Sequence, residues 1–244
     1  FNMVSYLIRN RISLLVCDMA GTVINENGLV YKSLYDTLEM HGYTPHAKDI
    51  ASWSGKEKKQ VLYDEIYKKM LPVQGGEIDI SWRVNVAEST LKNMLEDRYF
   101  NETNIELIDD NLYDFFACAR INGIRIALNT GYSKEFQSQI IDHFKLDLYV
   151  DGFISSEEVK HGRPYPYMIN NLMEEFDILH PKNIAKVGDT KNDMREGVNA
   201  CCGIKIGVLS GFETKENLLE AGADVVVNKI TDLNDVDDVP VFLL

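Results

Sequence analysis

Ile12-Ser-Leu-Leu-Val-Cys-Asp18-Met-Ala-Gly-Thr22 is a short apolar run that stops on an acid and passes into a glycine turn. Runs of this kind read as strands buried on both faces, the habit of parallel sheets. The pattern recurs downstream. Gly123 leads into Ile124-Arg-Ile-Ala-Leu128 and then Asn129-Thr130-Gly131, and Ile184-Ala-Lys-Val-Gly188 leads into Asp189-Thr190. Ile204–Leu209 and Ala223–Val227 read as two further strands.

Helical periodicity fills the gaps. Leu112, Phe115, Phe116 and Ala119 fall on one helical face, and segments 133–145, 165–177, 191–200 and 214–221 are further helices. Alternation of this kind predicts an α/β fold with a Rossmann-like parallel sheet. The stretch 27–108 breaks it. Leu29–His41, Ala47–Trp53, Glu57–Met70 and Ser81–Phe100 are all helical in pattern, with Pro72 and Gly75-Gly76 as punctuation and no convincing strand. The expected organisation is a core of residues 1–26 and 109–244, with an α-helical cap inserted at 27–108.

The chain has 244 residues, about one and a half average domains. Its 38 acidic against 25 basic side chains give a net charge of −13. That charge repels nucleic acid and anionic membranes over long range, so neither is an expected partner. Cys17, Cys118, Cys201 and Cys202 lack metal or disulfide spacing. The run Phe1–Asn10 lacks the ordered regions of a signal peptide. No apolar stretch approaches a membrane span. The expectation is a soluble, cytoplasmic protein with reduced thiols.

Open α/β sheets bind ligands beyond the carboxyl ends of their strands. Three predicted strands end there in oxygen-bearing side chains, Asp18, Thr130 and Asp189, and Asp193 follows one helical turn after Asp189. An acid at a strand end is also an ordinary helix cap, so the joint occurrence carries the argument. Several carboxylates held together require a cation, and hard oxygen donors suit Mg²⁺. Asp18, exposed at a strand tip by Ala20-Gly21-Thr22, is the candidate nucleophile. Lys160 and Arg163, in Val-Lys-His-Gly-Arg-Pro-Tyr-Pro, are candidate cations for a phosphoryl group, and the prolines would stiffen Arg163. The histidines show no paired ligand spacing, and His161 is assigned to a surface loop. Trp53 and Trp82 are assigned to the cap core, and Cys17 to packing.

Asp18-Met-Ala-Gly-Thr22, Thr130-Gly-Tyr132, Gly162-Arg-Pro-Tyr-Pro166 and Lys186-Val-Gly-Asp-Thr-Lys-Asn-Asp-Met194 occur in that order. Together they resemble the four motifs of the haloacid dehalogenase superfamily, and most closely its phosphonoacetaldehyde hydrolase (phosphonatase) branch. The resemblance implies a small phosphonate or phosphorylated substrate, Asp18 as nucleophile and an aspartyl-phosphate. It assigns Mg²⁺ to Asp18, the carbonyl of Ala20 and Asp189, with Asp193 completing the site. Thr130 and the Gly131 backbone would bind phosphoryl oxygens, and Arg163 takes the basic role of the third motif.

Ala20 stands where phosphatases of the superfamily carry an acid for the leaving group; phosphonatases also have Ala there. They use a cap lysine as a Schiff base, and Lys58 aligns with it. The first helical turn and the neighbouring Lys56 and Lys59 would favour its neutral amine. Three departures from the branch are Gly28 for a Cys, Ser54 for a Met and Val61 for a His. The runner-up is therefore a phosphate monoester phosphatase of the same superfamily, followed by a non-catalytic phosphometabolite sensor. A dehalogenase would not need the Asp189/Asp193 metal site. The resemblance also implies a cap that opens and closes, and a homodimer through cap helices.

Overall fold

The computed structural model describes residues 7, 11–53, 56–70, 77–101 and 105–234. The reading of Phe1–Asn10 other than Leu7, and those of Ser54, Gly55, Pro72, Gly75, Gly76 and the acidic tail beyond Asn234, lie outside the described residues.

In chain order the elements begin with β1 (Leu14–Asp18) and the short β2 (Ile24–Asn25). Four helices follow: α1 (Leu29–Met40), the single turn α2 (Ala47–Ile50), α3 (Lys58–Met70) and α4 (Glu77–Glu96). A short π-helical turn, Asp97–Asn101, ends this series. The chain then forms β3 (Glu106–Leu107), α5 (Leu112–Ile121), β4 (Arg125–Thr130), α6 (Lys134–Phe144) and β5 (Gly152–Ser155). It continues with α7 (Tyr167–Glu175), β6 (Ile184–Gly188), α8 (Lys191–Asn199), β7 (Ile204–Val208), α9 (Lys215–Glu220), β8 (Val225–Val227) and a 3-10 turn, Ile230–Asn234. Two compact units result, Phe1–Asn25 with Glu106–Leu244, and Glu26–Ile105.

The first unit is a six-stranded parallel sheet of order β5-β4-β1-β6-β7-β8, with helices packed on it in the Rossmann manner. Strands β1 and β6 are buried along their whole length, which explains why both read as apolar runs, interrupted by Lys186 in β6 and closed by Asp18 in β1. The chain moves outward from β1 through β4 to β5, then returns to lay β6 on the other side of β1. The carboxyl ends of β1 and β6 therefore flank the point where strand order reverses, where such sheets bind ligands. Leu14, Val16, Ala127 and Ile184 of the sheet pack with Met168, Ile169 and Leu172 of α7. Leu112, Phe115, Phe116 and Ala119 are all buried, as their spacing on α5 predicts.

Two features depart from the expected elements. A short ladder pairs Ile24–Asn25 with Glu106–Leu107 antiparallel, so residues 106–108, read as helical insert, belong to the first unit. Two-residue strands are too short to show alternation. Strand β5, Gly152-Phe-Ile-Ser155, is not among the strands the sequence predicts. It is a short edge strand whose Phe153 is partly exposed, so it lacks the apolar run that marked the others.

The second unit is helical. Leu34 and Leu38 of α1, Val61, Leu62 and Ile66 of α3, and Leu91 and Leu95 of α4 are buried. Trp53 is buried as expected, and its indole donates to Glu65 Oε1 at 3.3 Å. Trp82 corrects the expectation of a core role: on α4 it is 62 % exposed. A four-helix unit of this size offers one apolar stripe per helix, and Trp82 falls outside that of α4. Gly28 caps α1 with φ 73°, a left-handed conformation that glycine accepts without strain. A backbone requirement thus accounts for glycine where the phosphonatase branch has Cys. No helix among the described residues is long and apolar enough to cross a membrane.

Candidate active site

Asp18 ends β1 and pairs in register with Asn129 of β4, so Thr130 lies one step further along the same sheet edge. Asp189 follows β6 directly, and Asp193 sits in the first turn of α8. The sheet thus delivers acids from two adjacent strand ends to one place. Carboxylate oxygens of Asp18, Asp189 and Asp193 all lie within 4.8 Å of one another, and all three residues are buried.

Arg163 stands beside them. Its Nη1 lies 2.6 Å from Asp18 Oδ1 and 3.1 Å from Asp193 Oδ1. Its Nε reaches Glu196 Oε2 at 3.2 Å, and Nη2 donates to both the carbonyl and the side-chain oxygen of Asn129 at 2.8 Å. The planar fork of arginine allows this simultaneous engagement on several sides. Lys160, the other candidate cation, is exposed on the loop before it. His161 is exposed as expected, with its ring near Tyr165 and Tyr167.

Three residues that the sequence reading did not assign complete the cluster. Lys186 is fully buried in β6. Its Nζ lies 3.0 Å from Asp193 Oδ1 and 3.3 Å from Glu196 Oε2, and donates to Asn129 Oδ1 at 2.6 Å. Glu196, one turn after Asp193 on α8, is equally buried and accepts twice from Asn129 Nδ2, at 3.0 and 2.9 Å. A lysine in the middle of Ile184-Ala-Lys-Val-Gly188 was the available signal, because a buried ammonium must be paired.

Asp193 divides its two oxygens between tasks. Oδ2 bonds the Thr190 hydroxyl and accepts from the Thr190 N–H at 3.3 Å, forming a capping box for α8. Oδ1 faces the two cations. The ordinary helix-cap explanation of this acid is therefore true of half of it.

The electrostatics separate the three acids. Burial raises the Asp18 carboxyl above its ordinary range, with Asp193 adding to the rise and Arg163 and Lys186 opposing it. Burial raises Asp189 well above that range, and the nearby Asp18 and Asp193 raise it further. Burial also acts on Asp193, but Arg163 and Lys186 more than offset it and hold that carboxyl low. Asp189 Oδ1 is buried with no hydrogen-bond partner, while Oδ2 accepts from the Phe212 N–H at 2.9 Å. A buried, unpartnered carboxylate oxygen among other carboxylates is what a bound cation would satisfy, so the residues fit a hard metal ion.

The backbone leaves no slack around Asp189. A Cβ on Gly211 would fall on Asp189 Oδ2, and one on Gly21 would come within 2.6 Å of it. Gly211→Ala is expected to displace this carboxylate and weaken divalent-metal binding by at least about tenfold, with a modest loss of stability of about 1–3 kcal/mol. Calorimetric titration with Mn²⁺ checks this; unchanged affinity would remove Asp189 from the candidate metal site.

Lys58 opens α3 in the second unit, half-buried, with its Nζ donating to the Lys56 carbonyl at 3.4 Å. Lys59 is paired with Glu88 at 2.8 Å and Lys56 lies 3.8 Å from Asp64. Thr130 Oγ1 accepts from the Tyr132 N–H at 3.2 Å, shaping the turn at Gly131. Cys17 is buried in the core with its thiol pushed up to about 12 by burial, as a packing role requires.

Comparison with known proteins agrees with this architecture. The phosphonoacetaldehyde hydrolase of Bacillus cereus (strain B4264) is 35% identical over 92 residues, covering 37% of this chain and 35% of that protein. That of Parabacteroides distasonis is 31% identical over 141 residues, covering 48% and 53%. The matched part therefore spans about a third to a half of the length of these relatives. Among solved structures, the phosphonoacetaldehyde hydrolase like protein from Oleispira antarctica superposes with a TM-score of 0.75 at 19% identity, over 92% of this chain and 93% of that one. At that identity the likeness speaks for the fold alone. The sequence profile of the haloacid dehalogenase-like hydrolases matches residues 12–200, a span that holds every acid and both cations of the cluster. The chain belongs to the haloacid dehalogenase-like hydrolase family.

Proposed function

We propose that this hydrolase acts on a small phosphonate or phosphorylated metabolite through an aspartyl-phosphate on Asp18. The observation that carries the reading is the buried triad Asp18, Asp189 and Asp193, with Arg163 on Asp18. Mg²⁺ held by Asp18, the Ala20 carbonyl and Asp189, with Asp193 in support, would neutralise the carboxylates and the charge on the transferring phosphoryl group.

The remaining work falls to the chain. Arg163 holds one oxygen of Asp18, which orients the carboxylate and opposes the effect of burial on it. Asp18 attacks phosphorus, forming the acyl-phosphate bond as the bond to the leaving group breaks. Thr130 and the Gly131 backbone bind the phosphoryl oxygens, and water then hydrolyses the aspartyl-phosphate. The methyl of Ala20 can donate no proton, and a positioned acid is worth about 10²–10⁴-fold. The leaving group must therefore be made stable in another way.

Lys58 supplies that way for an aldehyde. Its amine condenses with the carbonyl, releasing water, and the electrons of the breaking C–P bond pass into the iminium to give an enamine. Hydrolysis then returns the amine and the dephosphorylated aldehyde. The names of the curated relatives favour phosphonoacetaldehyde as the substrate. Gly28 and Val61, the latter buried on α3, favour a second reading as a phosphate monoester phosphatase.

Phosphate release from phosphonoacetaldehyde, with Mg²⁺ or excess chelator, decides between them. The expected result is chelator-sensitive turnover that Lys58→Arg lowers by about 10³-fold, with borohydride trapping a substrate adduct on Lys58. Turnover of phosphate esters that survives Lys58→Arg, with none of the phosphonate, would establish the second reading instead.

A further inference from the structure

Asp18, Arg163, Lys186, Asp189, Asp193 and Glu196 are the buried charged residues of the first unit among the described residues. They form one connected cluster. Four carboxylates against two cations leave a formal charge of 2 − 4 = −2. Three of the carboxylates form the candidate metal site. Glu196 stands apart from them and touches only the two cations and Asn129 in the bonds described above.

We propose that Lys186 and Glu196 are positioning residues that fix Arg163 against Asp18 and set the charge of the metal site at the value one divalent cation offsets. The inference rests on the proposed function, since it assumes that the three aspartates hold a metal.

The geometry supports each part. Glu196 Oε2 takes Arg163 Nε at 3.2 Å, on the edge of the guanidinium away from the Nη1 contact to Asp18. Asn129 ties the arrangement together by donating to Glu196 while accepting from Arg163 and Lys186. Lys186 shares Asp193 Oδ1 with Arg163, so that oxygen is contacted by two cations. A pair whose charges cancel could be replaced by apolar residues if its role were packing alone, and such replacement is often neutral or stabilising. Here the two members touch different parts of the site, so removing either one changes what the metal meets. Buried charges a few ångströms apart interact strongly enough to move a binding constant by an order of magnitude.

The test is Mn²⁺ binding, followed by electron paramagnetic resonance and calorimetry, in the full chain and three variants. Glu196→Gln leaves a formal charge of −1 and is expected to weaken Mn²⁺ binding by about tenfold. Lys186→Met leaves −3 and is expected to tighten it by a similar factor. Both are expected to lower kcat, because Arg163 and Asp193 each lose an anchor. The double variant Lys186→Met/Glu196→Gln returns to −2 and is expected to bind Mn²⁺ within about threefold of the unchanged protein, a coupling a double-mutant cycle isolates.

Shifts of the same sign in the two single variants, or no shift in folded protein, would overturn the inference. If a single variant does not fold, the double variant decides. Near-normal affinity supports the inference, and a loss of tenfold or more overturns it. Failure of the unchanged protein to bind Mn²⁺ would overturn the proposed metal site and the inference with it. Mn²⁺ binding with the expected opposite shifts, but no phosphoryl substrate turned over, would overturn the proposed function alone.

Discussion

Asp18→Asn is expected to lower phosphate release by at least about 10⁴-fold while leaving the protein folded and, without metal, more stable than before. The activity half follows from chemistry. An amide of the same shape cannot attack phosphorus, and Ala20 offers no second acid to take over the role. The stability half follows from electrostatics. Burial favours the acid form of Asp18, with Asp193 adding to that preference and Arg163 opposing it. A carboxyl whose acid form the fold favours binds its proton more tightly folded than unfolded. At neutral pH, above its unfolded pKa, it therefore subtracts from stability. The neutral amide removes that cost, and the cluster's formal charge changes from −2 to −1.

Urea unfolding in chelator should show a higher midpoint for Asp18→Asn, and added Mg²⁺ should narrow the difference by stabilising the unchanged protein. Retained turnover in the variant would end the aspartyl-phosphate reading. Loss of turnover with ligand binding intact is the expected pairing. A non-catalytic sensor predicts that neither variant nor parent releases phosphate at all.

The same physics explains which parts of this protein the sequence makes legible. Buried parallel strands announce themselves because both faces are apolar, so β1, β4, β6 and β7 stand out as runs, while β8, an edge strand with only Val227 buried, stands out through three consecutive valines. β5 does not, because a four-residue edge strand with a half-exposed Phe153 has neither length nor continuous apolarity. Asp18 and Asp189 are visible because oxygen-bearing side chains at three strand ends, Thr130 included, are improbable as coincidence, and Asp193 follows one helical turn after Asp189. Arg163 is visible for its setting among prolines, which marks it as a cation for a phosphoryl group; its further contacts to Asp18, Asp193, Glu196 and Asn129 emerge only in the fold.

Glu196 and Asn129 were hidden for a different reason. Each is an ordinary residue on a helix or strand until the fold brings it inside, and only tertiary packing makes it unusual. Lys186 has a local signal, an ammonium within an apolar strand, which calls for a buried counter-charge but does not say which acid supplies it. Trp82 shows the converse, since a large aromatic on a helical pattern was assigned to a core that its face of α4 does not join.

Arg163→Met is expected to cost about 3–5 kcal/mol of stability in metal-free protein and to abolish turnover, the largest structural effect of any single substitution in the site. One guanidinium answers Asp18, Asp193 and Glu196, and also the backbone carbonyl of Asn129 in β4. Methionine fills similar space but leaves those groups facing one another without water, and the formal charge of the cluster rises to −3. Arg163→Lys separates charge from shape. A lysine restores the charge as a single point and cannot contact Glu196 at one edge and Asp18 at the other. It should recover much of the stability and little of the activity. Urea unfolding of both variants, with chelator and with Mg²⁺, measures the difference. A metal ion should recover part of the loss in Arg163→Met, because it too offsets the carboxylates. An Arg163→Met protein within 1 kcal/mol of the unchanged one would mean that the buried acids take up protons at little cost, and the electrostatic account of this site would fail.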